Sequence, residues 1–128
     1  MSEVKESAFH LLDIDDAEAG ILAYAIGKGE MSAEDVAPIW KRFDDAKASG
    51  RKVRIYCEYE AAPSFTGRMV FDKIKRLGTI FSTLERMAIV GDKSWMAIYE
   101  KVVDPITKAD IRHFTTDQRE QAIAWVRE

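Results

Sequence analysis

Apolar residues along this chain switch between a period of two and a period near 3.6, and the switches mark its elements. Val53 to Glu60 alternates: Val53, Ile55, Cys57 and Tyr59 fall on one face and Arg54, Tyr56, Glu58 and Glu60 on the other, which is strand spacing. Met87 to Val90 is a short apolar run closed by Gly91 and Asp92, and it suits a central parallel strand covered on both sides. Phe9 to Asp15 and Ile21 to Gly27 read as two further strands. The short acidic turn Asp16-Ala17-Glu18-Ala19-Gly20 makes them an antiparallel hairpin, and Gly27-Lys28-Gly29 breaks the second. Ile111 to Phe114 predicts a last short strand.

Helical spacing fills the gaps. Ser32 with Asp35 approximates a capping box, and Val36, Ile39, Trp40 and Phe43 form one stripe behind it. Pro38 should loosen or kink that helix by removing a hydrogen bond, and Gly50 ends it. After the loop Ala61 to Gly67 a long helix carries Val70, Ile74, Leu77, Phe81 and Leu84 inward. Met69, Phe71 and Ile80 lie off that stripe and widen its apolar surface. Gly78, halfway along, serves either close packing or bending. Trp95, Ile98, Tyr99 and Val102 define a third helix that ends before Asp104-Pro105. Thr115 with Gln118, or Thr116 alone, caps a final helix packed through Ala122, Trp125 and Val126. This order predicts one α/β domain over residues 1–128, with a four- or five-stranded mixed sheet, an N-terminal antiparallel hairpin and about four helices. The helix-linked crossovers should be right-handed and join parallel strands.

Charge changes the picture more by its placement than by its net value of −3. Met1 to Asp35 holds nine acidic residues against Lys5 and Lys28, a local −7 that leaves +4 for the remainder. Arg68, Lys73, Lys75 and Arg76 face a single Asp72, and a basic, partly apolar helix of this kind suits an anionic surface as well as plain solvent. The acidic first third and the pI of 5.5 oppose binding to a nucleic-acid backbone. A single cysteine, Cys57, forms no internal disulfide and fits a reducing, cytoplasmic setting. Met1 to Ser7 is polar and does not read as a signal peptide, and no apolar run reaches the roughly 20 residues of a membrane span.

Catalytic chemistry finds little footing, and the chain reads as a non-enzyme without metal or cofactor. His10 and His113 fall on separate strands, and no His, Cys or Asp spacing matches a zinc site. Glu58 and Glu60 share a strand face and could act as an acid–base pair, but they lack a partner histidine. Cys57 reads as a small buried apolar residue. Gly27-Lys28-Gly29 is too short for a phosphate loop.

What remains is a groove at the carboxyl ends of the strands, where ligands collect in open α/β sheets. Two helices begin there, one after Gly67 and one after Ser94, and both present backbone N–H groups and a positive dipole end. Arg68, Lys75 and Lys93 add positive charge. Phe65, Phe71, Trp95 and Tyr99 add apolar lining, and Thr66, Gly67, Gly91 and Asp92 complete the set. That mixture suits a lipidic or anionic small molecule. The same aromatics equally well complete a core.

The segment Arg86-Met87-Ala88-Ile89-Val90-Gly91-Asp92-Lys93-Ser94-Trp95, the ending Arg119-Glu120-Gln121-Ala122-Ile123-Ala124-Trp125 and the element order resemble the SpoIIAA-like family. Phe71-Asp72-Lys73-Ile74-Lys75 matches more loosely. The resemblance covers essentially the whole chain. It implies a STAS-type fold, akin to CRAL-TRIO lipid-binding domains, in a small bacterial protein with a non-enzymatic ligand-binding or regulatory role and membrane association in some members. Anti-sigma-factor antagonists of the STAS type carry a phosphorylated serine in an Asp-Ser-Ser-Gly-like segment. Here that junction reads Pro63-Ser64-Phe65-Thr66-Gly67, without the acidic neighbour. Ser64 and Thr66 are candidate phosphate acceptors, and both are equally explained as helix caps. Direct partner switching is disfavoured. A lipid or anionic ligand, peripheral membrane contact and a homodimer or other protein-interaction role are the partners expected.

Overall fold

The alternating run at the middle of the chain becomes the middle of a sheet. The computed structural model describes residues 9–27, 30–59, 64–65, 75, 77–91 and 110–128. Its elements are β1 (Phe9–Leu11), β2 (Ile21–Ile26), β3 (Glu30–Met31), α1 (Ala33–Ala48), β4 (Val53–Tyr59), β5 (Ser64–Phe65), α2 (Leu77–Thr83), β6 (Leu84–Val90), β7 (Asp110–Phe114) and α3 (Arg119–Arg127). A short 3₁₀ turn, Thr116–Gln118, leads into α3. Five strands form one sheet in the order β1-β2-β4-β6-β7, and β3 pairs with β5 in a separate two-stranded ribbon. β1 runs antiparallel to β2, and every other neighbouring pair in the large sheet is parallel.

Strand alternation sorts the core into two layers. Leu22, Tyr24, Ile26, Ile55, Cys57, Met87, Ile89 and Ile111 pack against Val36, Ile39, Trp40 and Phe43 of α1. On the other face Ile21, Ala23, Tyr56, Ala88 and Val90 meet Ala122, Trp125 and Val126 of α3. The three alanines there are fully buried, so small side chains let α3 lie close to the strands.

Local chemistry fixes the ends of α1 as expected. Ser32 Oγ accepts from the Asp35 N–H at 3.2 Å, while Asp35 Oδ2 accepts from the Ser32 N–H at 3.0 Å. The helix runs unbroken through Pro38, which sits on its exposed side, where the carbonyl left without an N–H partner can be hydrated. Gly50 closes it with a positive φ of 69°.

Several sequence expectations are corrected. β1 stops at Leu11 instead of reaching Asp15, because the Asp15 N–H turns back to Leu12 O at 3.0 Å. Leu84, expected on the helix stripe, opens β6 opposite Val53, so α2 passes into the strand without a loop. Ile80, expected off the stripe, packs half-buried on the α1 core. Ser64 and Phe65 form β5 alongside Glu30 and Met31, where a loop was expected. The described residues hold three α-helices rather than about four, and the stretch Trp95–Val102 expected to form the other lies outside them.

Candidate functional site

β2, β4, β6 and β7 all point their carboxyl ends the same way, at Ile26, Tyr59, Val90 and Phe114. At this edge the end of β6 is clamped. The Gly91 N–H donates to Phe114 O at 2.9 Å, and His113 Nε2 lies 2.6 Å from Gly91 O. A carbonyl can only accept, so His113 carries its proton on Nε2 in this arrangement. His113 thus works as a clamp at this edge. The parallel strands follow one another in monotonic order, so no reversal of strand order opens a crevice between neighbours. Any binding site here is built by what leaves the strand ends.

α3 starts at the same edge and runs back across the sheet. Its far end is tied down by arginines rising from the strands: Arg54 Nη1 donates to Val126 O at 3.0 Å and Arg86 Nη1 to Trp125 O at 2.9 Å. Cations near the carbonyl end of a helix are favourably placed. Arg86 and Arg112 also stack on the Trp125 ring, with guanidinium carbons 5.3 and 4.8 Å from its centre. Its near end carries Arg119, whose Nε pairs with Glu58 Oε1 at 3.1 Å.

Beside that ion pair lies Tyr56, fully buried, its hydroxyl set against Glu58 and Arg119. Burial and then the Glu58 carboxylate push the phenol up to about 12, against the pull of Arg119. Tyr56 and Glu58 in turn raise Arg119 further above its ordinary value. Glu58 is therefore engaged with a cation, and its expected acid–base partner Glu60 lies outside the described residues. Cys57 is buried, and desolvation pushes its thiol well above the usual range, as expected of a packing residue. His10 stands exposed on the edge strand β1.

Of the ligand set expected from sequence, Phe65 falls on β5, Lys75 is helical and exposed just ahead of α2, and Gly91 is buried at the clamp. Thr66, Gly67, Arg68, Phe71, Asp92, Lys93, Trp95 and Tyr99 lie outside the described residues, as does Ser94. Ser64, the other candidate phosphate acceptor, pairs with Glu30 in β5. Sequence reasoning missed Arg119 as a site residue. The signal present was a cation at the first position of a helix, where acids are favoured.

A family model described as SpoIIAA-like matches residues 21–127. The chain belongs to the SpoIIAA-like family. A crystal structure of an uncharacterized protein of the DUF3478 family, with a SpoIIAA-like fold, from Shewanella loihica PV-4 superposes with a TM-score of 0.69 at 18% identity, covering 98% of both chains. That likeness shows the fold. No curated protein matches. The match takes in α3 and Arg119, which makes the Glu58–Arg119 junction part of the SpoIIAA-like unit and not an appendage to it.

The opposite, amino edge of this SpoIIAA-like sheet holds a shallow cavity of about 120 Å³ lined by Gly20, Arg42, Asp45, Arg51 and Lys52 among others. Arg42 is already paired with Asp15, and Lys52 Nζ donates to Ser82 O, so the cavity is a structural junction far from the strand carboxyl ends. Among the described residues no group of three or more His, Cys, Asp or Glu is placed to hold a metal ion. Nor, among them, is any helix long and apolar enough to cross a membrane.

Proposed function

We propose that this SpoIIAA-like protein is a non-enzymatic binding module that takes a lipidic or anionic small molecule at the carboxyl edge of its sheet and touches anionic membranes peripherally. The observation that carries this reading is the Gly91 clamp, in which His113 and Phe114 hold the end of β6 rigid where the segment Asp92-Lys93-Ser94-Trp95 departs. A strand end held in place at this edge is in keeping with a binding role there, because less ordering has to be done on binding. The sequence carries the basic and aromatic residues Arg68, Lys75, Lys93, Phe65, Phe71, Trp95 and Tyr99, whose charge and apolar surface are in keeping with such a ligand. The engagement of Cys57, Glu58 and His113 in packing, pairing and clamping supports a role without catalysis. Flotation with anionic and with neutral vesicles tests the reading. Binding should favour anionic vesicles and weaken with salt; equal binding to both, indifferent to salt, would count against it.

A second reading, a regulatory or protein-interaction module or homodimer, is favoured by Leu11. It is a large apolar residue 51% exposed on β1, whose outer side has no paired strand among the described residues and so could receive another chain. Light scattering behind size exclusion, with and without lipid, separates the two: a stable dimer indifferent to lipid favours the second.

A further inference from the structure

We draw no further inference here: the strongest candidate, the outer side of β1 where Leu11 is exposed, is a strand edge unpaired among the described residues, and nothing in the structure shows what covers it.

Discussion

Arg42 of α1 grips Asp15 in the turn between β1 and β2: Nη1 donates to Oδ2 at 2.8 Å, while Nη2 donates to Ile21 O at 2.6 Å. Asp15 Oδ1 also accepts from the Ala23 N–H at 3.0 Å, so one carboxylate ties a helix, a turn and a strand together. Both side chains are about four-fifths shielded, which makes this pair stronger than a surface ion pair. Asp15→Ala should cost about 2 kcal/mol by stranding the guanidinium and the amide, read as a melting point lowered by several degrees. Arg42→Lys, which keeps the charge and loses the fork, should cost less.

Glycine replacements should separate by position. A Cβ at Gly78 would meet nothing within 4 Å, so neither close packing nor a tight approach requires glycine there. Gly78→Ala should raise stability by about 0.5–1 kcal/mol through helix propensity. Gly20 has φ +75° and its Cβ would come 3.0 Å from Lys52 O, so Gly20→Ala should destabilise by about 1 kcal/mol or more. Urea denaturation of the two variants checks both signs.

Alkaline pH should unfold the protein in part through Tyr56. The phenol is raised from 10.0 to about 12, so the folded state favours the neutral form. Its contribution is complete below the unfolded value of 10.0, and it is lost as pH climbs toward about 12, by roughly 2–3 kcal/mol. The Cys57 thiol, also raised by burial, acts in the same direction. Stability measured by denaturant at rising pH should fall less steeply over that window in Tyr56→Phe than in wild type. Equal slopes would mean that the phenol takes no part.

Cys57 should resist thiol reagents at neutral pH until the protein opens. Its side chain is fully buried and its thiolate disfavoured, so labelling by a disulfide reagent should follow the opening of the sheet and speed up with urea. Fast labelling in native buffer would contradict the packing described.

Much of this fold was legible because its signals are local. The Ser32–Asp35 box, the Val36–Phe43 stripe and the alternation of Val53 to Tyr59 each declare themselves within a few residues. What escaped depended on distant partners. Glu85 and Arg86 fall between the expected helix stripe and the expected strand, yet they extend β6: Glu85 pairs with Arg54 at 2.6 Å, and Arg86 reaches the end of α3. β3 and β5 are two residues each, too short to show a period. Arg119 stood out only once folding had brought Glu58 and Tyr56 beside it. The expected groove residues from Thr66 to Tyr99 lie almost wholly outside the described residues, apart from Lys75 and Gly91.

The left-to-right march of β2, β4, β6 and β7 also bears on how the chain can assemble as it is synthesised. Each parallel strand is added beside the one made just before it, and none has to be threaded between two already in place. Every intermediate then exposes a single growing edge, which limits the chances for mispairing. α3 follows last among these elements and fastens three strands at once through Arg54, Arg86 and Arg112. Its arrival would turn a stack of sequential pairings into one cooperative unit.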